Sequence, residues 1–136
     1  MQQAKLTWTN GEQFVAAAPS GHTLVLDGDR ERNSGPSPME LLLLALGGCT
    51  GVDVISILHK KRQAVMALEI QVAGERAAEP PRVWTKLAVH YRLVGKDVDV
   101  GAVEHAIELS RTKYCAVGAT LGKVAEMSWD YTIEQA

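Results

Sequence analysis

SGPSPMELLLLALGGCTGVDVISILHKKR, residues 34–62, decides how the rest of the chain is arranged. Ser37 is an N-cap candidate, Pro38 suits the first helical position and Glu40 falls in the first turn, so a helix begins here. Lys60, Lys61 and Arg62 sit favourably at the negative end of its dipole. From Leu41 to Val52 there is no charge and no polar face, so the helix needs cover on nearly every side. The uncharged run is too short for a membrane span, which takes roughly 20 apolar residues, and Asp53, Ser56 and His59 break up the remainder of the helix. Gly47, Gly48 and Gly51 each cost about 1 kcal/mol relative to alanine inside a helix. They are read as points where another backbone comes close, and Cys49 lies among them.

Outward from the helix, residues 5–9 alternate Leu6 and Trp8 with polar neighbours, and Asn10-Gly11 is a strong hairpin signal. Residues 13–17 return antiparallel, and 23–27 form a third strand. The segment 28–36, GDRERNSGP, is a polar surface loop that delivers Arg30 and Arg32 just before the helix. After the helix, 68–75 alternates as a strand, and 82–94 is cleanly two-faced. Leu87, Val89, Tyr91 and Leu93 mark its apolar side, and Trp84, Lys86, His90 and Arg92 its polar side. His90 is thus read as a surface strand residue. Asp99 caps a second helix over 100–113, with Val103, Ala106, Ile107 and Ser110 at helical spacing. Cys115 ends it, a loosened helical piece follows over 116–124, and 127–133 is a last strand. Three strands, a helix, two strands, helices and a strand make an α+β chain with antiparallel sheet, read as a single domain over 1–136.

Composition narrows the function. A net charge of −2 leaves no basic excess for a phosphate backbone, so no nucleic-acid partner is expected, and no membrane partner either. Two cysteines are too few for a disulfide scaffold, and no leader pattern opens the chain, so a cytoplasmic location with reduced thiols is expected. The four histidines make no metal-ligand spacing with one another or with the cysteines, and no phosphate loop is present. No metal and no cofactor are expected.

Ser37-Pro38-Met39-Glu40-Leu41 opening an apolar helix, Gly47-Gly48-Cys49 within it, and Lys113-Tyr114-Cys115 at the end of a later helix resemble the OsmC/Ohr family. The likeness covers essentially the whole chain and is closest to the YhfA-like branch. It implies an OsmC-like fold, with antiparallel sheets around a central apolar helix, in an intertwined homodimer whose sites lie at the subunit interface. A partner subunit would also cover the helix face that one small domain cannot.

The characterised branches reduce organic hydroperoxides. By that resemblance Cys49 is the peroxidatic thiolate and Cys115 resolves its sulfenic acid as a disulfide, which a cellular dithiol reductant then opens. The substrate is a small hydrophobic peroxide, received by Leu42, Leu46 and Val52. Such chemistry needs thiolate. A cysteine of pKa near 8.5 is only about 3% ionised at pH 7, and lowering it by two units takes about 2.7 kcal/mol of local stabilisation.

The chain departs from the peroxidase pattern where that stabilisation arises. Its first hairpin carries no arginine, and Met39 follows the proline where the family has glutamate, with Glu40 displaced by one position. Nine residues turn a helix through about 900°, which faces Glu40 away from Cys49. Asp53, four residues after Cys49 on the same face, opposes ionisation of the thiol. Arg111, four residues before Cys115, is the best-placed cation by spacing, and Arg30 or Arg32 are alternatives from their loop. The competing function is a non-catalytic dimer that binds a small apolar or thiol-reactive molecule, with its cysteines as buried hydrophobes. A thiol oxidoreductase without a peroxide substrate is a third reading.

Overall fold

In the computed structural model, which describes residues 1–136, Asn10-Gly11 folds β1 (Lys5–Asn10) back onto β2 (Gln13–Ala17). Gly11 takes the positive φ of 54° that the turn requires, and the Trp8 indole N–H donates to its carbonyl at 2.9 Å. β3 (Thr23–Asp27) completes an antiparallel sheet in the order β1-β2-β3. This sheet lies in the first of two compact units, Met1–Leu42 and Leu43–Ala136.

The loop after β3 is organised around Asp27, which is fully buried. Its carboxylate accepts from the Ser34 hydroxyl, from the Asp29 amide at 2.9 Å and from Arg32 Nε at 3.0 Å. The Ser34 hydroxyl above all, with the Asp29 amide and Arg32 adding to it against the cost of burial, holds this carboxyl well below the usual carboxylate range. Arg30, half exposed, pairs with Glu40 at 2.9 Å. Glu40 in turn accepts the Ser37 amide at 2.9 Å while the Ser37 hydroxyl accepts the Glu40 amide at 3.3 Å, a reciprocal capping box that starts α1 (Pro38–Lys60).

The second unit holds a sheet in the order β4-β5-β6, built from β4 (Ala64–Arg76), β5 (Trp84–Lys96) and β6 (Glu126–Gln135). β4 and β5 are antiparallel, but β5 and β6 run parallel, so this sheet is mixed and not antiparallel throughout. The reason is the connection. Residues between β5 and β6 form α2 (Val100–Leu109), a π-helical turn (Ser110–Tyr114) and α3 (Ala116–Leu121), a crossover long enough to bring the chain back in the same direction. Asp99 caps α2 by accepting from the Gly101 amide at 3.2 Å.

The core of this unit joins Leu46, Val54 and Leu58 of α1 to Leu87, Val89, Tyr91 and Leu93 of β5 and to Val103 and Ala106 of α2. α1, at 23 residues, is long and apolar enough to cross a membrane by length and composition, and one face of it, with Leu46, Thr50, Val54 and Leu58, is buried in this core. The helix glycines meet side chains here, not another backbone. A Cβ on Gly51 would stand 2.8 Å from Ile70 Cδ1, and one on Gly47 would stand 3.2 Å from Val72 Cγ2, whereas Gly48 faces open space. Close packing of α1 on β4 is what their small size permits.

Trp84 leaves the polar row that alternation predicts. Glu75 pairs with Lys86 and Arg76 with Trp84, so Thr85 is an extra residue, its hydroxyl donating to the Glu75 carbonyl at 3.0 Å. This bulge turns the indole onto the core, over Gly74. His90 stays on the polar face, 2.7 Å from Asp130 on β6. One face of α1 remains uncovered within the chain, with Leu44 63% and Val52 67% exposed.

Candidate active site

Cys49 and Asp53 are one turn apart on α1, and Cys115 stands between the π-helical turn and α3. Their ligating atoms, two sulfurs and a carboxylate oxygen, all lie within 4.8 Å of one another. Both cysteines are free thiols, Cys49 half-buried and Cys115 buried. Cys115 is positioned by its backbone: its amide donates to the Ser110 carbonyl at 2.8 Å, and its sulfur accepts the Gly118 amide at 3.3 Å. Leu46 packs in the same core cluster as Cys115.

Burial pushes the Cys115 thiol up to about 11, partly offset by the Gly118 amide and reinforced by Cys49 and Asp53. At neutral pH Cys115 is therefore held as the thiol. The linkage has a definite sign, because a thiol pKa raised by folding favours the protonated form in the native state. Its contribution is fully present below pH 9.0, the ordinary value, and is lost as pH rises through about 11. The expected outcome is a stability loss of about 1–2 kcal/mol between those limits that Cys115→Ala does not show, measured by urea unfolding across the range.

A buried hydroxyl chain fixes Asp53. Ser110 Oγ donates to Asp53 Oδ2 at 2.9 Å, Thr50 Oγ1 lies 2.8 Å from Ser110 Oγ, and Tyr91 Oη lies 2.6 Å from Thr50 Oγ1. Each hydroxyl has one proton, and that of Ser110 is committed to the carboxylate, so Thr50 donates to Ser110 and Tyr91 donates to Thr50. Burial pushes the Tyr91 phenol up, against the pull of Thr50, so it remains a donor. The chain therefore runs in one direction and ends on the carboxylate beside the thiols.

Each candidate cation has a partner of its own. Arg30 pairs with Glu40, and Arg32 binds Asp27 and the Asn10 side chain, all within the first unit. Arg111 lies over the Trp129 ring at 4.8 Å. Spacing by four pointed it at Cys115, but Ser110–Tyr114 is a π-helical turn in which contacts run five apart, so Ser110 and not Arg111 stacks on Cys115. Asp53 does meet the thiols, as its spacing from Cys49 predicts. Thr50, Ser110 and Tyr91 were missed as site residues; a hydroxyl inside each of two apolar helix faces was the available signal. Asp53 also lines a cleft of about 420 Å³ with Val52, Ile57, Leu109 and Tyr114, and with Lys60 among the basic residues bordering it.

Comparison with known proteins places this geometry. Residues 30–130 match the model of the OsmC-like protein family. The chain is 39% identical over 134 residues to Protein YhfA of Escherichia coli K12, covering 98% of this chain and 99% of YhfA. A crystal structure of a protein from Aquifex aeolicus VF5 superposes with a TM-score of 0.84 at 31% identity, covering 99% of this chain and 98% of that one. The organic hydroperoxide resistance protein OhrB of Bacillus subtilis shares the fold, with a TM-score of 0.63 at 16% identity over 96% of this chain and 98% of OhrB. With its apolar thiol helix, mixed sheet and paired cysteines, the chain belongs to the OsmC-like protein family.

Proposed function

We propose that the protein is a thiol peroxidase that reduces a small hydrophobic hydroperoxide, with Cys49 attacking and Cys115 resolving. The observation that carries this reading is the convergence of the two sulfurs, which come from separate elements to within 4.8 Å. The order of attack follows from their surroundings. Cys115 is buried and held protonated, whereas Cys49 is half-buried. The Cys49 sulfur attacks the distal peroxide oxygen, the O–O bond breaks, and the alkoxide leaves as alcohol after taking a proton. Asp53 stands where it can accept the thiol proton and return it to the leaving oxygen. Cys115 then attacks the Cys49 sulfenic sulfur, water leaves, and an external dithiol reduces the disulfide. The apolar wall of the cleft beside Asp53 suits the hydrocarbon part of an organic hydroperoxide.

The test is consumption of cumene hydroperoxide by the reduced protein with a dithiol reductant. Turnover above that of a variant lacking both cysteines supports the reading, and a rate equal to that of the variant removes it. The lack of any guanidinium or ammonium bonded to Cys49, Asp53 or Cys115 favours the second reading, a dimer that binds a small apolar or thiol-reactive molecule without turnover.

Both readings involve a homodimer. Leu44, Ala45, Gly48 and Val52 form an exposed apolar stripe along α1, a face that a second copy of the chain would bury. Sedimentation equilibrium is expected to give twice the chain mass, and Val52→Arg with Leu44→Arg is expected to give the monomer. A wild-type monomer at micromolar concentration would remove the dimer.

A further inference from the structure

We infer that Cys49, Asp53 and Cys115 together bind a thiophilic divalent cation of the zinc class. The inference concerns binding only and does not rest on peroxide chemistry. Linear spacing conceals the trio, because two ligands lie one turn apart on α1 and the third enters from the crossover between β5 and β6.

The geometry is close to what such an ion requires. Three atoms 4.8 Å apart, the widest separation here, have a common point about 2.8 Å from each. Zinc takes sulfur at about 2.3 Å and carboxylate oxygen at about 2.0–2.2 Å. An inward movement of roughly 0.5 Å or slightly more per ligand therefore closes the site, within reach of small side-chain rotations. Two thiolates and one carboxylate form a borderline-soft donor set, which selects zinc or cobalt over magnesium or calcium. Three protein ligands leave a fourth position for water.

Two further features support a built site. Ser110 donates to Asp53 Oδ2 at the end of the Tyr91–Thr50–Ser110 chain, which holds the carboxylate in place beside the sulfurs. The Gly118 amide donates to the Cys115 sulfur at 3.3 Å, the kind of bond that stabilises a metal-bound thiolate. Electrostatics points the same way. The Asp53 carboxylate stands beside the two sulfurs, and the hydrogen-bond partners of the trio are a hydroxyl and a backbone amide. A divalent ion supplies the missing positive charge and displaces the thiol protons on binding.

The experiment titrates reduced full-length protein with Zn²⁺ against a chromogenic chelator and, separately, with Co²⁺ followed by absorption. The expected result is one ion per chain, with thiolate-to-cobalt charge-transfer bands and the visible intensity of a tetrahedral site. Asp53→Asn is expected to weaken affinity by at least about tenfold, and Cys49→Ala or Cys115→Ala by about 100-fold or more. Circular dichroism checks that each variant folds; if Cys115→Ala does not, Asp53→Asn and Cys49→Ala carry the test. Binding without charge-transfer bands, an unchanged affinity in folded Asp53→Asn, or no binding by the wild type below millimolar ion would overturn the assignment. Because the readout is an ion count and a spectrum, failure to turn over hydroperoxide leaves this result intact, and the converse also holds.

Discussion

On the proposed mechanism, Cys49→Ser is expected to lower the rate of organic hydroperoxide consumption by at least about 10³-fold, to the level of protein lacking both cysteines, while Cys115→Ser is expected to retain a single fast turnover. The asymmetry follows from the two environments. Cys49 is half-buried and stands one turn from Asp53, and in the proposed mechanism it is the thiol that attacks the peroxide. Serine at this position is a far weaker nucleophile, and 10³-fold corresponds to about 4 kcal/mol of lost transition-state stabilisation. Cys115, pushed up to about 11 by burial first of all, cannot replace it at neutral pH. With Cys115→Ser, Cys49 still reacts once and stops as a sulfenic acid, which dimedone labels and intact mass measures. Multiple turnovers in Cys49→Ser, or a dimedone adduct on Cys115 in the wild type, would reverse the assigned roles.

Thr50→Val is expected to destabilise the protein by about 2–3 kcal/mol although its shape is nearly unchanged. Thr50 is 1% exposed and its single hydroxyl serves two partners, accepting from Tyr91 and donating to Ser110. Valine leaves the Tyr91 phenol, also 1% exposed, without that acceptor, and an orphaned buried donor costs about 1–3 kcal/mol. Ser110 keeps Asp53 but loses the donor behind it. Thr50→Ser restores the hydroxyl and is expected to recover at least half of the loss. Chemical unfolding of the three proteins measures this directly. A Thr50→Val change below about 0.5 kcal/mol would mean that the hydroxyl chain contributes nothing net to the fold.

The element order was legible because each element carries local signals strong enough to survive any tertiary context. Asn10-Gly11, the Ser37/Glu40 box and Asp99 act through a few neighbouring backbone groups, and the alternation of Leu87, Val89, Tyr91 and Leu93 records a single buried face. Local spacing also put Asp53 on the helix face of Cys49, which the family resemblance had singled out. It failed at Trp84, where one extra residue at Thr85 reverses the alternation, and at Arg111, where a π-helical turn shifts the stacking partner of Cys115 to Ser110. The first rests on a hydrogen bond to the neighbouring strand and the second on a backbone bond that spans five residues, neither of which periodicity registers.

Sequence alone determined the order of helices and strands and the apolar character of α1, because these follow from spacing and capping along the chain, while the two thiols were marked by the family resemblance. Tertiary structure alone decided that β6 runs parallel to β5, that Arg30, Arg32 and Arg111 meet Glu40, Asp27 and Trp129, and that Tyr91, Thr50 and Ser110 lead to Asp53. These arrangements join residues tens of positions apart, and the energy that selects them is burial of polar groups that must find partners, a constraint that exists only once the chain has folded.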